Sequence, residues 1–593
     1  MRSTSLSFGS ALLVCLFALP AFGELPPGSY VKLRKQAPVV LKVHVTKTAE
    51  DKAQATDAAL QKLVCTANIE GIEKAPKEMK LASGDAVQFD AYYLSEAVAK
   101  SGFAGPRWPV GRSELGLKAG WRGRVYLRSE EGSDVLWPAA YGESFQPLPA
   151  KVDPSAKTSN APFLLGAAER DVTPPVGFDI THYVRKSKGV RDPLYVRAMV
   201  LSDRSGNSVA IVTTDLIGAG FEVCDHLRER IRKELGIQET ILNASHSHSS
   251  IGLGMPSERA EDNDALNTYY KRQHQAIMDA VAEAKGKQEP VTLYAGRAPA
   301  QVGFNRRLVN KNDGHVFMGV NENGPVVPWV NVLSARSQST GKPVAVLFEH
   351  AAHPVIVPHT SGLTSADYPG AAVARVREEL GNDVIAMFGQ GCGGNINGFP
   401  LRTTHENAEA AGRHLGNAVL EAMAESDAIE ADTVEIRSGR SWLPSNDPPN
   451  LETLAKWQKW SQNNPARTAH LQKLKELIEQ NQNPPPRRLD AYALMLGDDW
   501  CLVTMPHEMF CQYELWVDEA APFEHNMTFG YTNGGQGYVA VDEAWKLKEK
   551  GGYEAGALPN WGGNGSMSGY FGPPSVGSEK VIKDTIQNLW PQE

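Results

Sequence analysis

Hydrophobic and polar positions alternate early in the chain and regroup at helical spacing further on. Residues 39–45, Val-Val-Leu-Lys-Val-His-Val, alternate as a strand does, and shorter strands are predicted at 86–93 and 123–128 between glycines and prolines. A helix is predicted over 53–64. Residues 24–157 therefore read as a small β-rich accessory domain, closed by a proline-rich linker over 146–157. From Phe163 the pattern changes. Strands are predicted at 208–214, 239–242, 291–295, 343–348, 384–388, 490–496 and 500–504. Amphipathic helices are predicted at 222–235, 265–285, 369–380 and 405–425. Strands alternating with such helices predict an α/β fold, a layered mixed-sheet catalytic domain over 163–593.

Residues 451–483 interrupt that domain as a helical insertion, broken at Pro465 and ended by Pro484-Pro485-Pro486. Its Trp457 and Trp460 fall on one face, where we read them as packing. Residues 551–577 are rich in Gly and Pro and carry Tyr553, Trp561 and Tyr570, a composition suited to an irregular rim or lid. A last helix is predicted near 578–589.

Composition excludes some classes. The 593 residues carry a net charge of −8, with 42% hydrophobic and 22% charged residues and no basic block, so nucleic acid is not an expected partner. Residues 1–23 have the form of a secretory signal. Arg2 precedes the apolar run 11–19, and Ala21-Phe22-Gly23 places cleavage before Glu24. The run is too short to span a bilayer, and no later segment is apolar enough to do so. The expected location is secreted or periplasmic. After the signal come Cys65, Cys224, Cys392, Cys501 and Cys511, scattered and odd in number, which is no disulfide framework. Cys501 and Cys511 either pair in an oxidising compartment or stay as buried thiols.

Candidate chemistry lies just past predicted strand ends, where open α/β sheets place reactive residues. Asp215 and His246 take such positions. The stretch Asn243-Ala244-Ser245-His246-Ser247-His248-Ser249-Ser250 carries two histidines two apart, which face the same way if the backbone is extended. Glu349-His350-Ala351-Ala352-His353-Pro354 follows another strand. Asp367, in Ser365-Ala366-Asp367-Tyr368, reads as a helix cap. Gly389-Gln390-Gly391-Cys392-Gly393-Gly394-Asn395-Ile396-Asn397-Gly398 is a glycine-rich loop able to aim N–H groups at an oxyanion. Met505-Pro506-His507-Glu508 closes the set. His246, His353, Glu508 and a tyrosine can form a mixed nitrogen and oxygen metal site of the kind zinc accepts.

This order of motifs, over 163–430 and 488–556, resembles the neutral/alkaline (non-lysosomal) ceramidase family. The resemblance implies zinc as cofactor. It implies His246, His353, Glu508 and Tyr538, in Gly-Tyr-Val, as metal ligands. It also implies His248 beside the substrate, Arg306 in Gly-Phe-Asn-Arg as a substrate-binding cation, and Tyr553 as a second active-site tyrosine. The family's nucleophilic serine position is Asn397, and Asn395 stands where the family has Asp. An amide is no hydroxyl nucleophile. The family's C-terminal immunoglobulin-like domain is not expected here.

The expected function is an exported zinc-dependent amidohydrolase cleaving an N-acyl bond in a lipid or related small molecule through metal-activated water. Asn397 would position the acyl group. Cys392 is an alternative nucleophile. Contact with a membrane surface or the cell envelope fits a lipid substrate. A metal-containing binding protein without turnover, and a hydrolase of a glycan-linked amide, are the competing readings.

Overall fold

A computed structural model describes residues 33–34, 36–50, 60–94, 117–129, 136–139, 144–147, 163–181, 184–257, 264–460, 465–483, 485–556 and 574–591. The signal segment 1–23 and residues 557–573 of the expected rim, with Trp561 and Tyr570, lie outside them. The chain divides into two compact units, Met1–Pro154 and Ser155–Glu593.

The first unit is a six-stranded sheet. Strand Val39–Glu50 pairs antiparallel with both Leu60–Lys74 and Arg122–Ser129. The helix expected over 53–64 is overturned for its described part. Residues from Leu60 onward alternate, with Leu63, Cys65, Ala67 and Ile69 all turned into one core beside Leu41, Val43 and Val45. A period of two lets the strand bury a full face, and that outweighs the local helix propensity. The expected linker is also shortened, because Phe145–Pro147 pairs with Arg122–Ser129 as a strand.

The second unit is built in four layers. Its centre is a nine-stranded mixed sheet in the order Glu239–Ala244, Ser208–Thr214, Tyr195–Asp203, Phe163–Asp171, Glu289–Pro299, Trp329–Ser337, Pro343–His350, Ile385–Gln390, with Asp427–Ala428 paired at one side. Ser208–Thr214 runs parallel to Glu239–Ala244, and Pro343–His350 parallel to Ile385–Gln390; the other main pairings are antiparallel. Both faces of this sheet are covered. Val196, Ala198 and Val200 meet the helices Phe221–Leu235 and Ala265–Gly286, and Val346 and Phe348 meet the helices Asp367–Leu380 and His405–Ala424. The alternate residues Met199, Leu201, Ala345 and Leu347 pack against a four-stranded sheet through its Leu494, Leu496, Trp500, Leu502, Met527 and Phe529. That second sheet consists of Glu435–Leu443, Arg487–Leu496, Trp500–Thr504 and His525–Phe529. Helices Cys511–Ala520 and Ser578–Gln587 cover its outer face through Tyr513, Val517, Ile582 and Ile586.

The insertion forms two helices, Leu451–Trp460 and Pro465–Glu479, closed on each other by Leu454, Leu471 and Leu474 with Trp457 packed alongside. Pro465 opens the second helix, where its missing N–H costs nothing. All five described cysteines are buried and free, so Cys501 and Cys511 do not pair: one lies in the core of the second sheet, the other in the helix-side core. Among the described residues no helix is long and apolar enough to cross a membrane.

Candidate metal centre

Three loops, which follow strands Glu239–Ala244, Pro343–His350 and Trp500–Thr504, converge. The first follows Glu239–Ala244. Ser245 donates its N–H to Thr214 O and His246 to Leu216 O at 3.0 Å, so the loop runs beside the end of the adjacent strand. His246 adopts φ 65°, the left-handed region, so the two histidines are not presented by an extended backbone as their spacing predicts. Their rings still meet, 4.9 Å apart and nearly perpendicular. The second loop brings His353, whose N–H bonds Ile396 O at 3.0 Å. The third brings Glu508, which pairs in parallel with Tyr538.

One side chain ties these loops together. Asn243 donates to Gly530 O (2.8 Å) and Thr532 Oγ1 (3.1 Å), and its Oδ1 accepts the N–H of Gln390 (2.8 Å). It thereby fixes the histidine strand to the glycine-rich loop and to the segment after Phe529. His507 is scaffold: its Nδ1 accepts the Gln536 N–H and its Nε2 bonds Arg488 O at 2.7 Å.

The geometry at the convergence is that of a cation site. His246, His353 and Glu508 are all buried. His246 Nδ1 meets Ile217 O at 2.6 Å, and His353 Nδ1 meets Gly393 O at 2.7 Å. A carbonyl only accepts, so each Nδ1 carries its proton, and the His353 ring, which burial keeps neutral, turns its Nε2 lone pair inward. Both Nε2 atoms face Glu508 Oε2, at 3.4 Å for His246 and 3.1 Å for His353. Burial pushes the His353 imidazole down to about 4, while the histidines beside Glu508 hold its carboxyl well below its usual range in spite of burial. Neutral nitrogen lone pairs against a carboxylate oxygen repel unless a cation lies between them. Zinc bonds of about 2.0–2.2 Å place tetrahedral ligand atoms roughly 3.3 Å apart, which matches both separations. His246, His248 and His353 also have ligand atoms within 4.8 Å of one another. His248 Nε2 is buried with no hydrogen-bond partner. Burial, and then the neighbouring His246 and His353, hold the His248 ring well below the usual histidine range, so it too is neutral.

Arg306 and Asn397 lie beside this set, but Arg306 is not a free cation. Its Nε donates to Glu554 Oε1 at 2.7 Å, Nη1 to Asn397 Oδ1 at 2.9 Å and Nη2 to Gly394 O at 2.8 Å. Arg307 also donates to Glu554, at 2.7 Å. Glu554 therefore neutralises two arginines, and Arg306 holds the Asn397 amide with its oxygen inward and its NH₂ left as a donor. Tyr538 stacks on His353 at 6.3 Å, and the Arg306 guanidinium lies 5.3 Å from the centre of its ring. Tyr553 lies farther out, 41% exposed, its ring 5.5 Å from Tyr538.

The glycine-rich loop does not do what its composition predicts. The N–H groups of Gly391, Cys392, Gly393, Gly394 and Ile396 are engaged by His350 O, Glu514 Oε2, Gly391 O, Met509 O and Gly393 O, which leaves none of them for an oxyanion. Glycine is needed for close approach: a Cβ on Gly394 would stand 2.4 Å from Glu508 O. Cys392 is fully buried, and burial followed by the charges of Glu514 and Glu349 pushes its thiol well above the usual range, so it is no nucleophile. Asn395 accepts the Cys511 N–H and donates to Gln512. Asp215 is a buried ion-pair partner of Arg197 at 2.9 Å. Asp367 is the first residue of its helix rather than the cap, and accepts the N–H groups of Val357 and Tyr368.

Four groups escaped the motif reading. Glu554 was hidden next to Tyr553 in Tyr-Glu-Ala. Tyr531 lies seven residues before Tyr538, its ring 4.6 Å from that of His246. Asn243 precedes the histidines. The acids Glu349 and Glu514 are buried together behind Gly391, each with its Oε1 without a hydrogen-bond partner.

No family model and no curated protein sequence matches the chain. Among solved structures it is similar to the neutral ceramidase from Pseudomonas aeruginosa, with a TM-score of 0.54 and 18% identity over 73% of this chain and 76% of that one. It is equally similar to a ceramidase complexed with C2, with a TM-score of 0.55 and the same identity and coverage. Over 73% of its length the chain thus has a fold like that of the neutral ceramidases.

Proposed function

We propose that this chain is an exported zinc-dependent hydrolase of the ceramidase type, cleaving an N-acyl amide bond in a lipid or lipid-like molecule. The observation that carries this reading is the pair of imidazole Nε2 atoms facing the Glu508 carboxylate at 3.1 and 3.4 Å, with both Nδ1 atoms on backbone carbonyls. His246, His353 and Glu508 would hold the ion, with a tyrosine, Tyr538 by the resemblance, completing the set. A zinc ion there supplies Lewis acidity and lowers the pKa of a water it binds.

The chain's own residues do the rest. Asn397 has no hydroxyl, so water is the nucleophile in this reading. Its NH₂, oriented by the Arg306 contact to its oxygen, is a fixed donor for the oxygen of the scissile carbonyl. Neutral His248 offers its unpartnered Nε2 to take the proton of the attacking water and pass it to the leaving amine. Arg306 and Glu554 act on the substrate only through Asn397 and the loop.

A lipid substrate is supported by the surface nearby. The hairpin of Gly303–Val309 and Val316–Asn321, which carries Arg306, exposes Val309, Phe317, Met318 and Val320. Exposed Phe399 stands edge-on to Phe304 of the same small sheet, and Tyr553 belongs to the short helix packed on Val316. Apolar side chains grouped around a site mark contact with apolar ligands or a membrane surface. The second reading, a metal-containing binder without turnover, is favoured by one observation, Asn397 at the serine position.

A panel of N-acyl lipids and N-acylated sugars, assayed with EDTA and after zinc is restored, tests the proposal. We expect lipid amide cleavage lost with EDTA and regained with zinc. Bound zinc with no turnover on any amide favours the binder, and full activity in EDTA overturns the metal reading.

A further inference from the structure

The strands of the first unit close on themselves. Val39–Glu50 pairs antiparallel with Leu60–Lys74 on one side and with Arg122–Ser129 on the other. Leu60–Lys74 continues antiparallel to Ala86–Leu94. Ala86–Leu94 lies parallel to Leu136–Pro138, which returns antiparallel to Arg122–Ser129. Five strands thus form a ring in the order first, second, third, fifth, fourth. Register shifts after Val40, Lys42 and Val45 let the first strand bend and serve both neighbours. This is the topology of an OB-fold barrel. Leu41, Val43, Cys65, Ala67, Phe89 and Leu127 fill its interior, so a ligand must lie on the outer surface.

OB-folds bind chain-like ligands, oligonucleotides or oligosaccharides, across the face of the second and third strands. The outward residues of that face stand opposite one another here as Lys62 and Tyr92, Val64 and Asp90, Thr66 and Gln88, and Asn68 and Ala86. The Tyr92 ring stacks on that of Trp137, from the fifth strand, at 5.8 Å and 18°. Arg128 stands directly opposite Trp137, is exposed, and makes no ion pair among the described residues. Gln88 and Asn68 are exposed as well. From Gln88 to Tyr92 the strand rises about 13 Å, room for more than one sugar ring.

Charge separates the two ligand classes. A strand of nucleic acid needs cations that track its phosphates. On this barrel Arg122 is spent on Glu70 at 2.6 Å and Arg124 on Glu73 at 2.9 Å, while Lys42 and Lys62 meet Glu73 and Asp90 at 3.4 Å. The face instead offers an aromatic pair beside hydroxyl and amide groups. Sugars match that set, because a pyranose packs its C–H face on aromatic rings while its hydroxyls both donate and accept. We propose that this face binds an oligosaccharide, with Tyr92 and Trp137 as the apolar platform and Thr66, Asn68, Gln88 and Arg128 as polar contacts. The assignment is independent of the metal reading.

Calorimetric titration of the full-length protein with cellohexaose, chitohexaose, hexagalacturonate and a short oligothymidylate tests it. We expect at least one hexasaccharide to bind, and the matching disaccharide to bind at least about tenfold more weakly. Trp137→Ala and Gln88→Ala should each weaken the bound hexasaccharide, the first by at least about tenfold. Arg128→Ala should weaken hexagalacturonate more than the neutral sugars, because only the acidic chain offers it a carboxylate. If Trp137→Ala does not fold, Gln88→Ala and Arg128→Ala, both at exposed positions, decide. Sugar binding unchanged in every variant that folds overturns the assignment, since the sugar then sits elsewhere. Binding of oligothymidylate with no sugar bound overturns it in favour of nucleic acid. Failure of every probe to bind the parent protein overturns it outright.

Discussion

Glu508 Oε2 stands 3.1 Å from His353 Nε2, although that imidazole has committed its other nitrogen to Gly393 O. In the metal reading proposed above, a cation lies between these two groups. The expected outcome is one zinc per chain by elemental analysis, lost in His353→Ala and Glu508→Gln. Ligand linkage adds about 2.7 kcal/mol of stability at a hundredfold excess over Kd. EDTA should therefore lower the melting temperature of the parent protein and leave those of the two variants where they were.

His248 separates metal binding from turnover. His248→Ala should retain zinc and lose about 10²–10⁴-fold in kcat on whichever amide the parent cleaves. Loss of zinc from this variant would instead make His248 a ligand, the alternative that its ligand-atom proximity to His246 and His353 keeps in view.

Glu554 answers buried Arg306 and half-buried Arg307, with Nε of Arg306 and Nη1 of Arg307 each 2.7 Å from a carboxylate oxygen. Removing one member of such a buried set costs about 3–5 kcal/mol, because charge is left uncompensated. Glu554→Gln should destabilise the protein by that order in urea unfolding. It should also lower kcat more than KM, since Asn397 is oriented through Arg306. A double-mutant cycle with Asn397→Ala should show strong coupling for activity.

Glu349 and Glu514 set a pH dependence. Burial pushes Glu514 up to about 7, and burial with the Glu514 charge raises Glu349 well above the carboxylate range. Asn331 donates to Glu349, the Cys392 N–H donates to Glu514, and Arg297 and Asp518 are the nearest charges. Between an unfolded value of about 4.3 and the folded value, the native state keeps a proton that the unfolded chain has released. Stability contributed by this pair therefore falls as pH rises from about 4.3 through 7. Glu514→Gln should flatten the fall in melting temperature between acid and neutral pH, measured in EDTA to remove the metal's own dependence.

The layers of the second unit were legible because its strands are buried on both faces and its helices are amphipathic. Strands 208–214 and 500–504 end where the hydrophobic runs end. Strand Glu435–Leu443 was not legible, since its edge position leaves alternating polar residues such as Arg437 and Arg440. The first unit misled at 60–64, where the local sequence favours a helix until cross-strand burial decides. At the site, residue types singled out His246, His353 and Glu508, which the fold brings together. Nothing local showed that Arg306 is spent on Glu554, or that the glycine loop's N–H groups are consumed by its own neighbours. Those facts depend on partners up to 248 residues away.

Asn243 reaches across 147 residues to Gln390 and 287 residues to Gly530, and 155 residues separate His353 from Glu508. A newly made chain cannot form this centre until the strand before Glu508 has emerged and docked. In the metal reading proposed above, capture of the ion is then one of the last events of folding, and a captured ion closes long chain loops as a cross-link would. Metal content in a preparation would thus count the molecules that have finished folding, and release of metal on heating would mark the separation of the two sheets' loops rather than local fraying.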